Sequence, residues 1–321
     1  KEARADKNYR LMEFCGGHTH VISRYGLEGI LPKNVRMIHG PGCPVCVMPI
    51  GRIDSAIELA LEHGVILCTY ADTMRVPASK GLSLMKAKAQ GGDIRMIYSA
   101  ADCLDIARAN PDKNVVFFAI GFETTTPATA VVLKQAKAEG LKNFFVFCNH
   151  VLTPPAMRHI LKNQEKVQIE GFVGPAHVST IIGSEPYETF AKDYSKPVVI
   201  AGFEPLDMLQ SILMLIRQIN RGEAKVENEF PRAVRPEGNM KAIRMMEEVF
   251  ALRDSFEWRG LGSVPKSALK LSDAYSDFDA EKHFNLVYRS VPDNKACECG
   301  AILRGEKQPS DCRAFGTVCT P

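Results

Sequence analysis

Between Cys15 and Cys46 the chain places three thiols, three imidazoles and six glycines within thirty-two residues, CGGHTHVISRYGLEGILPKNVRMIHGPGCPVC. Thiols and imidazoles together suit a soft metal or redox chemistry, and the glycines let backbone approach a small ligand closely. Cys43-Pro-Val-Cys46 is a Cys-x-x-Cys segment, a spacing that admits a disulfide, a two-thiolate metal bite, or both in alternation. At a strand end before a helix, Cys46 would gain from the positive end of the helix dipole, which lowers a thiol pKa. Cys15-Gly-Gly-His-Thr-His20 adds a lone thiol with two imidazoles at alternate positions. No second Cys-x-x-Cys lies at finger spacing, so a zinc finger is the weaker reading.

A second group closes the chain: Cys297, Cys299, Cys312 and Cys319. Cysteines without histidine suit a soft site, with an iron–sulfur cluster as the leading option. A cluster commonly takes four thiolates, so either Cys299 joins the other three or the fourth lies beyond Pro321. Cys68, Cys103 and Cys148 stand in apolar or helix-like runs and read as small buried hydrophobes.

These residues need elements to position them. Short runs rich in β-branched and aromatic residues, VRMI, VILCTY, IRMIYS, VVFFAI, FFVFC, IEGFV and PVVIA, alternate with amphipathic stretches such as RIDSAIELALEHG and ATAVVLKQAKAEG. That rhythm predicts an α/β fold with mainly parallel sheets, and Gly64 and Gly140 stand where helix-ending glycines belong. The segment from Arg36 matches the one from Glu170 in order: strand, Gly-Pro, reactive cluster, Gly, helix. This repeat predicts two similar, pseudo-symmetric lobes with a cleft between them. We expect a first lobe over 10–110 carrying Cys15 and Cys43/Cys46, and a second over 111–222. A C-terminal Cys-rich iron–sulfur domain would span 223–321 with residues 1–9, because the sequence there turns polar and Pro-rich. In parallel sheets the functional groups gather after the strands. Those loops carry His39, Asp72, Glu123, Thr125, Asn149, His150, His177, Glu204 and Asp207, several of which would serve equally as helix caps or packed structural residues.

Composition narrows the function classes. The chain has 321 residues, 45% of them hydrophobic, and a net charge of only +3, which suits a globular protein with a large core and argues against nucleic acid as a partner. No run is long and apolar enough for a membrane span, and KEARADKNYR is not a signal peptide, so a soluble cytoplasmic protein is expected. The absent initiator Met and the abrupt ending TVCTP read as residues trimmed at both ends. Ten cysteines in such a compartment favour metal or redox use over a disulfide framework. An ATP-using enzyme is disfavoured, since there is no G-x-x-x-x-G-K-[ST] loop.

Taken together, MEFCGGHTH, GPGCPVC, FFAIGFETT, GPAHVS, AGFEP, RAVRPEGN and the terminal CECGAILRG…DC…FGTVCTP closely resemble the HypD family of hydrogenase maturation factors, over essentially the whole chain. The resemblance implies two α/β domains related by pseudo-twofold symmetry and a third carrying a [4Fe-4S] cluster. It also implies a role in building the Fe(CN)2(CO) unit of [NiFe] hydrogenases, in complex with the small chaperone HypC and with cyanide received from HypE. By position, Cys15 would be the thiolate on which iron is assembled. Cys43 and Cys46 would form a redox-active dithiol and possible further iron ligands, and Cys297, Cys312 and Cys319 would bind the cluster. The family pattern gives Cys299 a disulfide partner further on, and a fourth cluster ligand there too. His18, His20, His150 and His177 are candidates to hydrogen-bond cyanide nitrogen or protonate the departing carrier thiol, with Glu123 beside them. The alternative function is a cluster-dependent thiol–disulfide reductase in which Cys15 is incidental.

Overall fold

The computed structural model describes residues 2–163 and 168–319; Thr320 and Pro321, the end of the terminal motif, lie outside the described residues. In chain order the strands are β1 (Tyr9–Glu13), β2 (Val35–His39), β3 (Ile66–Thr69), β4 (Ile94–Met96), β5 (Val115–Gly121), β6 (Phe144–His150), β7 (Gly171–Pro175), β8 (Val198–Ala201) and β9 (Val226–Asn228). Four short ones follow: β10 (Phe250–Leu252), β11 (Ser255–Trp258), β12 (Gly262–Pro265) and β13 (Leu269–Leu271).

The chain divides into two compact units, each made of separated stretches. Lys1–Cys43, Thr153–Ile243 and Lys295–Pro321 form the first, and Pro44–Leu152 with Arg244–Asn294 form the second. The first unit is built on a five-stranded sheet of order β2-β1-β7-β8-β9, parallel throughout. The second holds a four-stranded parallel sheet of order β4-β3-β5-β6. It also holds the antiparallel pairs β10–β13 and β11–β12.

Sequence explains the elements well. VVFFAIG of β5 and FFVFCNH of β6 are buried at every position, the pattern of parallel strands covered on both faces. Helix Thr126–Glu139 begins with Pro in its first turn and stops at Gly140, whose φ of +69° is open to glycine without strain. Helix Pro205–Arg221 starts in a capping box of Glu204 and Asp207, and it buries Met208, Ile212, Leu215 and Ile216 against Leu11, Val173 and Val199 of the first sheet. Among the described residues no helix is long and apolar enough to cross a membrane.

Three expectations differ from this arrangement. A boundary at 110 would fall between β4 and β5, yet both belong to one sheet through β3. The region after 223 is likewise shared: 244–294 belongs to the second unit and 295 onward to the first. The repeat read from Arg36 and Glu170 is also not one copy per unit. β2 and β7, its two leading strands, flank β1 in the same sheet, while the helix after β2, Ile50–Leu61, lies in the second unit.

Candidate functional site

In the first unit the carboxyl ends of β1, β2, β7 and β8 carry the candidate groups. β1 ends at Glu13, and two residues later Cys15 caps helix Gly16–Arg24 with extended backbone. Glu13 is fully buried. Its Oε2 accepts the Cys15 N–H at 2.7 Å, and its Oε1 accepts the Thr19 hydroxyl and His39 Nδ1 at 2.8 Å. His39 is the in-register neighbour of Glu13 on β2, and the hydrogen bond to the carboxylate raises its pKa against the opposing effect of burial.

Cys15 is 8% exposed. Burial pushes its thiol pKa up, while the backbone N–H groups of Gly17 and His18 reach the sulfur and pull the other way. Such a thiol is a weak nucleophile alone and becomes a thiolate when a metal cation supplies the balancing charge. The GPGC loop after β2 closes over it. Gly16 N–H donates to Gly42 O at 3.3 Å, and a Cβ on Gly42 would stand 2.7 Å from Gly16 N and 2.8 Å from Cys15 N. Only glycine permits that approach, which sets Cys43, the next residue, beside the Cys15 backbone.

A ring stack flanks the same loop. Phe203, from AGFEP after β8, lies between His177 (centroids 4.0 Å apart) and His18 (4.9 Å). A Cβ on Gly17 would meet the Phe203 ring at 2.8 Å, with the Cys15 sulfur 3.5 Å away. His18 is fully buried, and its Nε2 donates to the Ala201 carbonyl at 2.9 Å. Burial holds its pKa down, which favours the neutral ring, and its buried Nδ1, which has no hydrogen-bond partner among the described residues, is an acceptor. His177 is exposed and its pKa is lowered by partial burial. His20, on the same helix as His18, is exposed.

Other candidates fall in the second unit or apart. The chain passes between units after Cys43, so Cys46 belongs to the second. Cys46 is exposed in a turn over 44–47, and the next helix begins only at Ile50. Met48 and Pro49 intervene, which removes the helix-start geometry expected for that thiol. Glu123 is buried after β5. His150 is buried at the end of β6, with Nε2 2.9 Å from Thr129 Oγ1 and burial pushing its pKa down to about 4.

The terminal cysteines belong to the first unit. Cys297 and Cys319 are exposed, Cys299 begins the short helix Cys299–Leu303, and Cys312 is buried. Among the described residues no three His, Cys, Asp or Glu side chains form a group able to hold a metal ion. Cys297, Cys312 and Cys319 are not gathered into such a group among those residues.

The residue that sequence reading passed over is Glu13. It falls in YRLMEF, where Tyr9, Leu11 and Glu13 alternate onto one face of β1. A carboxylate at an apolar-face position was the available signal.

A family profile described as the hydrogenase formation hypA family, HypD, matches residues 1–321. The chain belongs to the HypD family. It is 65% identical to the hydrogenase maturation factor HypD of Cupriavidus necator over 325 residues, covering all of this chain and 86% of that protein. HypD of Rhodobacter capsulatus is 50% identical, with 99% of this chain and 85% of the relative covered. HypD of Escherichia coli is 46% identical, with 99% and 84% covered. As a HypD protein, the chain has its role in hydrogenase maturation.

Proposed function

We propose that the chain is the scaffold and redox component on which the Fe(CN)2(CO) unit of [NiFe] hydrogenases is assembled. Iron is its cargo, held together with a HypC-type small chaperone, and cyanide arrives from a HypE-type carrier. The observation that best supports this reading is Cys15, a buried thiol with two backbone N–H groups at its sulfur and the Cys43 loop closed over it. Electron-rich iron with cyanide and carbonyl ligands suits thiolate donors, and Cys15 is the thiolate that would hold it.

Release of cyanide from a carrier thiocyanate consumes two electrons and one proton, R–S–CN + 2e⁻ + H⁺ → R–SH + CN⁻. Oxidation of Cys43 and Cys46 to a disulfide supplies two electrons and two protons. One proton goes to the carrier sulfur and the other leaves. His20 and His177, both exposed on the unit that holds Cys15, are the imidazoles suited to move that proton. His18 is locked as a neutral ring and suits an acceptor role instead. A [4Fe-4S] cluster, for which Cys297, Cys312 and Cys319 are the proposed thiolates, would supply electrons when bound.

The test is an infrared spectrum of the full chain purified anaerobically with its small chaperone partner. Cyanide and carbonyl bands that disappear in Cys15→Ala support the scaffold. Absence of iron, with turnover of a disulfide substrate that survives Cys15→Ala, favours the thiol–disulfide reductase instead.

A further inference from the structure

Glu13 is a fully buried carboxylate, and burying a charge is costly unless donors surround it. Three do. Oε2 holds the Cys15 N–H, while Oε1 holds the Thr19 hydroxyl and His39 Nδ1. Thr19 sits one turn into the helix that Cys15 caps, and its N–H donates to the Cys15 carbonyl at 3.1 Å. The carboxylate thus grips the start of this helix at two points. Its own carbonyl takes the Gly40 N–H at 2.8 Å, which ties the GPGC loop to the same residue. An apolar side chain at position 13 would continue the buried face of Tyr9 and Leu11 on β1 without asking for any of these partners, so packing does not explain a carboxylate here.

The far side of the network opens outward. Thr19 and His39 line a cavity of about 340 Å3 in the first unit, together with Arg36, Lys307, Ser310 and Phe315. Two of the three donors on Glu13 therefore face a cavity, and the third is the amide of Cys15. The sulfur of the same residue is met by the N–H groups of Gly17 and His18.

We propose that Glu13 is the positioning residue for Cys15, fixing its backbone so that the sulfur is presented to a metal, and that His39 sets how firmly Glu13 holds. The metal part rests on the reading of Cys15 as the iron thiolate. The positioning part does not.

The experiment uses the full 15N-labelled chain without iron and reads the Cys15 amide by NMR, then anaerobic ferrous ion binding in the same samples. In wild type the amide is downfield and protected from exchange, as expected for a charge-assisted hydrogen bond. Glu13→Gln keeps the shape and removes the charge, so the amide moves upfield and exchanges about tenfold faster. His39→Gln, which removes the Nδ1 hydrogen bond to Glu13, shifts it the same way by about threefold. Ferrous ion binding in Glu13→Gln weakens by about tenfold. If Glu13→Gln does not fold, His39→Gln and Thr19→Val carry the test, each removing one donor. A Cys15 amide unmoved by His39→Gln and Thr19→Val overturns the proposal, as does one unmoved by Glu13→Gln. An amide that responds as stated in a chain that binds no ferrous ion upholds the positioning and overturns the iron reading.

Discussion

Lowering the pH from about 7 to about 4.5 should cost the second unit stability through one ring, His150. Its side chain is 1% exposed, Nε2 faces Thr129 Oγ1, and Nδ1 has no hydrogen-bond partner among the described residues. Burial holds its folded pKa at about 4, against about 6.5 in an unfolded chain. Between those values the unfolded state binds a proton that the folded state refuses. The stability this residue contributes is therefore complete above about pH 6.5 and is lost as pH falls toward about 4. At about pH 4.5 the loss from this group is roughly 2–3 kcal/mol, a large share of the margin of a typical domain. The chain has a single Trp, Trp258, buried in the same unit, so its fluorescence follows unfolding of the part that contains His150. Denaturant titrations of wild type and His150→Gln at the two pH values give four free energies. Other titrating groups cancel in their double difference, which should favour the variant at low pH by roughly 2 kcal/mol. Equal acid losses in the two proteins would show that His150 is not buried neutral and that the reasoning fails.

Cys15→Ala should remove the cyanide and carbonyl infrared bands while costing about 1 kcal/mol of stability or less, since the backbone N–H held by Glu13 survives the change; calorimetry and infrared on one sample check both. Gly42→Ala places a methyl against the backbone of Cys15 and Gly16 and should cost about 1–3 kcal/mol, measured as a lowered midpoint together with faster alkylation of Cys15 as its cover lifts. Arg52, 5% exposed, is paired with Glu281 at 2.6 Å and lies over the rings of Phe147, Phe256 and Tyr288. Arg52→Ala should cost about 3–5 kcal/mol, seen in Trp258 fluorescence; a change under about 1 kcal/mol would mean that Arg253, the other partner of Glu281, compensates alone.

The long apolar runs were legible because strands buried on both faces leave an unbroken signal, as VVFFAI and FFVFC did for β5 and β6. The helix end at Gly140 was equally plain, while Gly64, also at positive φ, falls two residues past Glu62, the cap of its helix. β1 escaped because Arg10 and Glu13 interrupt it, although it lies inside its sheet. The small antiparallel pairs after Phe250 escaped for the opposite reason: strands of three or four residues give too few alternations to register. Cys15, Cys43, His18 and His177 could be picked out by residue type and by their place after strands. That Gly42 lies on Cys15, and that Phe203 joins His18 to His177, depends on long-range packing that local pattern does not encode. The acceptor role of His18 was also hidden, since a carbonyl 183 residues away fixes its tautomer.

The sheet order of the first unit has a consequence during synthesis. β1 pairs with β2 soon after both emerge, but its other edge waits for β7 and Gly171. At roughly 5–20 residues per second that wait is on the order of ten to thirty seconds. The carbonyl of Ala201 and the ring of Phe203, which hold His18, arrive later still. Throughout that interval the nascent chain carries Cys15 on an unfinished sheet edge, where neither Phe203 nor its burial yet protects it. The thiol that the finished fold keeps 8% exposed is therefore expected to stay open to oxidants and stray metal ions on the ribosome until β7 and Phe203 have been made.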